Sequence, residues 1–445
     1  MEQRVEEAGP RIAVLRARQV LIAALLFGGY AAYYFCRADF SVAMPLLVAE
    51  LGRHGIGHGD AVVRLGAVYS AGVLAYALGK ILLGGLGDFW GGRPSFLIGL
   101  GGAAAFTLLF AASGSIPVFT LAWIGNRLTQ SIGWAGLLKV CSRWFDFSTH
   151  GTIIGILSLS YLVGDAIARQ WMGVLISRGY DWQALFRFAA IAAGVMFAAN
   201  FALLRESRTE LGYRAAEPNP LNLYAGAADG PLRLRTILEP LLRSRAFLLV
   251  CLLSFGCTFV RETFNIWTPV YLRDAVGYEA GRAASLSAVF PALGAASVLA
   301  VGWLSDRMGV NGRPVLLLAG LIATAVTLLG LMFLRLDLAP PLVAVVLIGV
   351  VAFCLLGPYS YLGGAFALDF GGQRAGALSS GLIDGVGYLG GALAGDSVAR
   401  ISVAFGWRGV FVVLAAVAAS SALAAGLLYL NQRRALLANQ GEADG

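Results

Sequence analysis

Long apolar stretches separated by short polar loops run along almost the whole chain. Twelve of them approach or exceed about 20 residues, the length at which an α-helix crosses a bilayer. They form two groups of six: 19–47, 61–86, 94–113, 116–141, 151–175 and 183–204, then 246–271, 283–304, 314–334, 340–368, 376–400 and 408–430. The pattern predicts an all-α integral membrane protein with twelve transmembrane helices in two pseudo-symmetric six-helix bundles.

One polar stretch, 206–240, interrupts this pattern near the middle of the chain. It is rich in Pro, Gly and charge, and it is long enough to join two bundles. The predicted division is an N-terminal tail 1–18, a bundle 19–205, a linker 206–243, a bundle 244–431 and a C-terminal tail 432–445.

Arginines collect in alternate loops. The N-terminal tail, the central linker and the C-terminal tail are rich in Arg, whereas "ASGSIP" between the third and fourth spans carries no charge. Because positive loops stay on the cytoplasmic side, we expect both termini and the linker to be cytoplasmic. The net charge of +8 therefore reflects membrane orientation, and no nucleic-acid partner is predicted.

Composition agrees with a lipid environment and excludes several function classes. Hydrophobic residues make up 58% of the chain and charged residues 13%, about half the usual charged share. The five cysteines lie in apolar segments and the three histidines are scattered, so no disulfide, metal site or cofactor is expected. No P-loop and no nucleophile elbow appears. We predict a protein that is not an enzyme and that draws energy from a gradient or from exchange.

The two halves repeat. Three unrelated features recur at nearly one offset: Arg37 and Arg261 are 224 residues apart, Trp182 and Trp407 are 225 apart, and the acids of two loop motifs are 218 apart. A common offset indicates duplication. Two six-span halves related by an axis along the membrane normal place a substrate site between them near mid-membrane.

The loop motifs read G-x-L-x-D-x-x-G, in "GGLGDFWGGR" and "GWLSDRMGVNGR". A glycine turn brings an acid to a helix N-terminus and to nearby arginine, which would hold that side of the protein closed. A plain polar turn is the alternative. The predicted gating residues are Gly84, Asp88, Arg93, Gly302, Asp306 and Arg307.

Arg37 and Arg261 lie well inside the first span of each half. Buried guanidinium groups that face each other form an anion site, because the planar fork binds phosphate or carboxylate bidentately. The alternative is internal pairing with Asp39 and Glu262. Residues at i+1 and i+2 point to other faces of a helix, so we expect neither acid to neutralise its neighbour.

Several segments are similar to the organophosphate:phosphate antiporters of the major facilitator superfamily. They are "YAAYYFCRADFSVAMPLL", "YALGKILLGGLGD", "QSIGW", "RETFNIWTPVYL", "LLGPY" and "GYLGG", in order along nearly the whole chain. The resemblance implies that Arg37 and Arg261 bind a substrate phosphate. By position it also implies cavity roles for further residues: Tyr30, Tyr34, Tyr76, Lys80, Trp134, Tyr161 and Tyr388. Helix packing is the alternative for the tyrosines, and snorkelling to the cytoplasm is the alternative for Lys80.

The chain departs from that family in ways that change the expected charge. Ala38 stands where the family has a lysine, and Tyr161 stands where glycerol-3-phosphate members have a histidine. Acids also lie within the spans, and such acids mark ion pathways, proton relays or substrate amines. The candidates for ion coupling are Asp39, Asp165, Glu262 and Asp384, together with Arg127. Asp165 and Asp384 are alternatively structural partners of nearby arginines.

Arg127 opens an R-x-x-Q-x-x-G pattern in the fourth span, which resembles proton-coupled facilitators. Asp39 is its candidate partner, and a static ion pair is the alternative. The sequence thus predicts a monomeric transporter in a bacterial inner membrane that moves a small organic anion by alternating access. The coupling ion is phosphate or a proton. A membrane receptor that senses a phosphorylated metabolite and signals to a kinase is the second hypothesis.

Overall fold

The computed structural model describes residues 2–83, 90–216, 239, 241–308 and 312–443. This part of the chain is helical and contains no β-strand. Its α-helices are α1 Glu2–Arg53, α2 His58–Leu83, α3 Gly92–Ala111, α4 Ile116–Gln130, α5 Gly133–Trp144, α6 Phe147–Ser177, α7 Trp182–Leu203, α8 Arg245–Asp274, α9 Ala280–Ser287, α10 Val289–Met308, α11 Gly312–Phe333, α12 Leu342–Tyr359 and α13 Ala367–Ala443. A short 3-10 helix spans Arg208–Leu211 and a π-helical turn spans Leu362–Phe366.

Ten helical segments of the described chain are long and apolar enough to cross a membrane. The last of them, Ser379–Asn431, has 53 residues and would measure about 80 Å if straight, well beyond a bilayer core of about 30 Å. Gly406 has a φ of +66° and interrupts it. This segment therefore holds two spans.

Contacts between α8 and α13 show that the chain reverses its direction at Gly406. Along α8, the contacts with the first part of α13 move to higher residue numbers, from Ser254 with Gly387 to Trp267 with Ala394. The contacts with the second part of α13 move to lower residue numbers, from Gly256 with Ser421 to Tyr271 with Trp407. The two parts of α13 are therefore two antiparallel spans, as the sequence predicts for 376–400 and 408–430.

The fourth predicted span, 116–141, is continuous in the sequence pattern but broken in the structure. Helix α4 ends at Gln130 and α5 begins at Gly133. At the break the Ser131 hydroxyl donates to the Leu128 carbonyl oxygen at 2.6 Å. With this broken span and the double last segment, the ten candidate spans correspond to the twelve predicted from the sequence.

The bundle has two distinguishable ends. At the end that we call the terminal end, Gln19 near the start of the first span donates to the Trp144 carbonyl at 3.0 Å. At the other end, which we call the closed end, α2 and α13 approach until their backbones nearly touch. A Cβ atom built on Gly66 would lie 2.8 Å from the Gly395 carbonyl oxygen. Only glycine allows this approach between the halves.

Candidate functional site

A cavity of about 590 Å³ lies between the two halves on the terminal side. Most residues that the sequence predicts for substrate binding line it: Tyr30, Tyr34, Tyr76, Lys80, Trp134, Tyr161, Arg261 and Tyr388. Their rings contact one another, and Tyr76 of α2 meets Tyr388 of α13 edge-on across the two halves at 4.9 Å between ring centroids. The structure thus brings together residues spread over more than 350 positions.

A smaller pocket of about 50 Å³ continues from this cavity toward the closed end. Arg37 and Arg261 both line it, as the internal repeat predicts, and Arg127 and Arg169 line it too. Two acids, Asp165 and Glu262, share the wall. Four guanidinium groups against two carboxylates make this inner pocket electropositive, which suits an anionic group.

Arg37, the N-half arginine, is held by neutral partners. Its Nε donates to the Gln130 side-chain oxygen at 2.5 Å and its Nη1 donates to the Tyr34 hydroxyl at 3.1 Å. The guanidinium carbon lies 4.4 Å from the centroid of the Tyr76 ring. As predicted, Arg37 does not pair with Asp39, and in the described part of the chain its hydrogen bonds go to neutral side chains.

Arg261, the C-half arginine, is held by an acid. Its Nη2 donates to Glu262 Oε1 at 2.8 Å, in a pair of which both side chains are almost fully buried. The expectation that neighbouring residues on the helix do not pair is therefore wrong here. Both side chains are long and extend into the same pocket, so their tips meet although their α-carbons point apart. Tyr359 and Tyr388 flank the guanidinium at 4.8 and 5.4 Å.

Asp39 and Arg127 do not form the ion pair suggested by the sequence. Asp39 is fully buried; its Oδ1 accepts from the Phe40 backbone nitrogen at 2.7 Å, and its Oδ2 has no hydrogen-bond partner among the described residues. Arg127 lies against the Tyr76 and Trp123 rings, and its Nε also finds no acceptor within the described part of the chain. Each group keeps an unsatisfied polar atom in the interior, which costs about 1–3 kcal/mol.

The other two predicted acids are paired. Asp165 Oδ1 accepts from Arg169 Nε at 3.0 Å, which fits the structural alternative for this acid. Asp384 Oδ2 lies 3.1 Å from Lys80 Nζ, across the cavity between the two halves. Lys80 therefore points into the cavity instead of snorkelling toward the terminal end. The partner of Asp384 is this lysine rather than an arginine.

The predicted gating residues are only partly described. Gly84, Asp88 and the Asp306 side chain lie outside the described residues. Gly302 lies on α10, and a Cβ atom there would meet open space. Arg307 places its guanidinium 3.7 Å from the centroid of the Trp303 ring.

Arg93 lies at the start of α3, where an acid meets the helix N-terminus. The acid is Glu206, which follows the sixth span, and it accepts from the backbone nitrogens of Gly92 and Arg93 at 2.8 and 2.6 Å. Arg143 pairs with the same carboxylate at 2.6 Å. Exposed helix N-H groups favour a carboxylate, and Glu206 supplies one at this helix start.

Sequence reasoning missed several site residues. Tyr69 donates to Glu262 Oε2 at 2.6 Å from the opposite half, and nothing in the sequence indicates this contact. Arg169 offered a signal, since it stands four residues after Asp165 on one helix face. Gln130 belongs to the R-x-x-Q-x-x-G pattern, but its role as the partner of Arg37 depends on the packing of α1 against α4.

Two relatives are similar to this chain over most of its length. A probable hexose phosphate transport protein of Chlamydia trachomatis serovar D is 27% identical over 406 residues, which cover 88% of this chain and 87% of the relative. The membrane sensor protein UhpC of Escherichia coli K12 is 26% identical over 408 residues, with 89% and 88% covered. These relatives confirm the resemblance found in the sequence motifs.

A solved structure shows the same fold. The crystal structure of the nucleoside transporter NupG superposes with a TM-score of 0.69 at 14% identity, and the match covers 93% of this chain and 99% of that one. The family model of the Major Facilitator Superfamily matches residues 26–395. With twelve spans and a repeat that brings two arginines to one central pocket, this multi-pass membrane protein belongs to the Major Facilitator Superfamily.

Proposed function

We propose that this chain is a secondary active transporter of a small organic anion, a phosphorylated metabolite or a carboxylate, that works by alternating access. The observation that carries the proposal is the inner pocket: Arg37 and Arg261, equivalent in the repeat, line one electropositive space that ends at the closed end. The name of the chlamydial relative, a probable hexose phosphate transport protein, supports a phosphorylated substrate.

The inner pocket and the outer cavity bind two different parts of the substrate. The anionic group binds in the inner pocket, where Arg37 and Arg261 have N-H groups to offer. The organic part lies in the outer cavity among tyrosines and Trp134, which provide apolar faces and hydroxyl donors. The facing Lys80 and Asp384 add one charge of each sign to that wall, which suits a substrate with polar or zwitterionic character.

Coupling follows one of two routes, exchange for phosphate or symport with a proton. In exchange, phosphate and substrate compete for the same arginines, and the halves rock only when the pocket is occupied. Among the ion-coupling candidates, Asp39 favours the proton route, because this buried acid has an Oδ2 without a hydrogen-bond partner among the residues that the structure describes. Asp165, Glu262 and Asp384 are each engaged with a cation.

The proposal includes the orientation of the protein in the membrane. The protein works as a monomer in a bacterial inner membrane with both termini in the cytoplasm, so the terminal end is cytoplasmic and the cavity is reached from that side. The two loop motifs, with Asp88 and Asp306, close the cytoplasmic side when the closed end opens. The boundaries predicted from the sequence then separate the two rocking bundles, with 206–243 as their connection.

Uptake by proteoliposomes tests the transport proposal. Vesicles loaded with phosphate are offered labelled phosphate, a hexose phosphate or a carboxylate, and we expect uptake that Arg37→Ala and Arg261→Ala abolish. Arg335→Ala is the matched control, because this arginine is 65% exposed and its ion-pair partner, Asp337, is exposed too. Unchanged uptake in both cavity variants contradicts the proposal. Asp39→Asn is assayed over a pH series: loss of pH dependence supports proton coupling, and an unchanged profile supports exchange.

A sensor is the second candidate function, and the similarity to the membrane sensor protein UhpC favours it. A sensor and a transporter would share the binding residues, so binding alone does not separate them. Anion-induced thermal stabilisation without any uptake or exchange supports the sensor. Stabilisation together with flux supports the transporter.

A further inference from the structure

Glu262 connects the proposed anion site with the contact that holds the closed end. Its Oε1 accepts from Arg261 Nη2 at 2.8 Å and from Asn265 Nδ2 at 3.2 Å. Its Oε2 accepts from the hydroxyl of Tyr69, which belongs to α2 in the other half, at 2.6 Å. One buried carboxylate is thus shared between a substrate-binding arginine and the opposite half of the protein.

The same turn of α8 carries further contacts between the halves. The Asn265 carbonyl accepts from Ser41 Oγ at 2.7 Å and from Arg169 Nη2 at 2.8 Å, and both donors belong to the N-terminal half. Ser41 also reaches the Ile266 carbonyl at 3.0 Å. We call residues 262–266 the latch segment. Asn265 links its two parts, because its amide holds Glu262 while its carbonyl holds the other half.

A substrate anion and the Glu262 carboxylate compete for one guanidinium. Two negative groups on one arginine repel each other strongly in a buried pocket, where the effective dielectric is low. Once Arg261 turns to the substrate, Glu262 keeps only neutral donors, Tyr69 and Asn265. Arg37 faces no such competition, because its partners, Gln130 and Tyr34, are neutral.

Building on the proposed function, we infer that Glu262 is the resident counter-anion of Arg261 and that a substrate anion, by taking its place, loosens the Tyr69–Glu262 contact. Binding is thereby coupled to opening of the closed end. Glu262 is a positioning residue in this scheme: it acts through Arg261 and through the latch segment, and it does not itself bind the anion. An empty pocket keeps the latch shut, which prevents a leak.

Binding to Glu262→Gln tests the first half of the inference. Glutamine keeps the size and one acceptor but removes the charge, so we expect phosphate or a phosphate ester to bind at least tenfold more tightly by calorimetry. Asp165→Asn is the matched control. It also removes a buried negative charge from the inner pocket, but that charge pairs with Arg169 and not with Arg261. We expect a smaller gain there. Binding that is unchanged or weaker in Glu262→Gln overturns the inference.

Closed-end distances test the second half. Spin labels at Arg53→Cys and Glu279→Cys, exposed positions on opposite halves, report opening in a background whose native cysteines are replaced by alanine. In the otherwise native protein we expect the anion to lengthen the distance. We expect Tyr69→Phe to lengthen it without the anion, and Glu262→Gln to lose the response to the anion.

Tyr33→Phe is the control for the lost hydroxyl. Tyr33 is equally buried, but it donates to the Phe96 carbonyl at 2.7 Å within its own half, so its loss leaves the distance unchanged. Equal effects of Tyr69→Phe and Tyr33→Phe, or none from Tyr69→Phe, contradict the latch. A native protein that binds none of the anions removes the proposed function and this inference together. Native binding that depends on Arg37, with no effect of Glu262→Gln, removes the inference alone.

Discussion

Arg37 and Arg261 occupy equivalent positions in the two halves, yet they meet different chemistry. Arg37 is held by an amide and a phenol, whereas Arg261 is held by a carboxylate that also contacts the opposite half. An arginine with neutral partners keeps its charge available for an anion. An arginine paired with a carboxylate binds an anion only when the anion displaces that carboxylate. We therefore expect Arg37 in the N half to attract the anion, and Arg261 in the C half to couple anion binding to the contact between the halves.

The largest difference between the two arginines should appear in stability. Arg261→Ala leaves Glu262 buried without a counter-ion, so we expect a loss of about 3–5 kcal/mol. Arg37→Ala leaves only a neutral amide and phenol unpaired, at about 1–3 kcal/mol. Thermal unfolding of the purified variants measures both.

A double variant sharpens that prediction. Arg261→Ala with Glu262→Gln should regain much of the lost stability, because no bare charge remains. Glu262→Gln should not rescue Arg37→Ala. Equal losses in the two single variants would show that the acid makes no difference.

Exchanging the partner chemistry is the next test. Gln130→Glu gives Arg37 a carboxylate partner almost identical in shape, so the N half comes to resemble the C half. Charge-assisted hydrogen bonds contribute about 1.5–3 kcal/mol, and we therefore expect anion affinity to fall by roughly ten- to a hundredfold. Gln130→Met removes the bond without adding charge and should weaken binding less. Calorimetric titration with phosphate distinguishes these outcomes.

Two buried acids of the N half allow a smaller comparison. Asp165→Asn removes the charge that pairs with Arg169, but the asparagine oxygen and the Asn265 carbonyl still accept from that guanidinium. We therefore expect a loss of about 1–3 kcal/mol, less than for Arg261→Ala. Asp39→Asn removes a carboxylate of which, among the described residues, one oxygen accepts a hydrogen bond and the other does not, so we expect a change within about 1 kcal/mol. Thermal unfolding under identical conditions compares them. A larger loss for Asp39→Asn would mean that this acid has a partner in another state of the protein.

The tyrosines that flank the two arginines should give the smallest effects. Tyr34→Phe removes the hydroxyl that accepts from Arg37, and we expect about 0.5–1.5 kcal/mol of lost binding free energy, roughly two- to tenfold in affinity. Tyr359 presents its ring to Arg261 while its hydroxyl accepts from Thr258. Tyr359→Phe should therefore change affinity less than Tyr34→Phe. The reverse order would contradict the assignment of these contacts.

Much of the architecture followed from the sequence because the signals are local or periodic. A helix in lipid must satisfy its backbone internally and be about 20 apolar residues long, so the spans stand out in the pattern. The break between α4 and α5 did not, because no proline lies at it and α4 ends where the Ser131 hydroxyl donates to a backbone carbonyl, a contact that only the structure shows. The reversal at Gly406 matched the predicted division because the apolar stretch was too long for one crossing.

The sequence alone determined the membrane class, the duplicated halves, and Arg37 and Arg261 as the unusual buried charges. These conclusions depend on composition and on spacing along the chain. Only the tertiary structure decided the partners: Gln130 for Arg37, Glu262 for Arg261, Lys80 for Asp384, and, among the described residues, none for Asp39 Oδ2. Which charges meet depends on how helices far apart in sequence pack, and at these few ångströms pairing and repulsion differ by several kcal/mol.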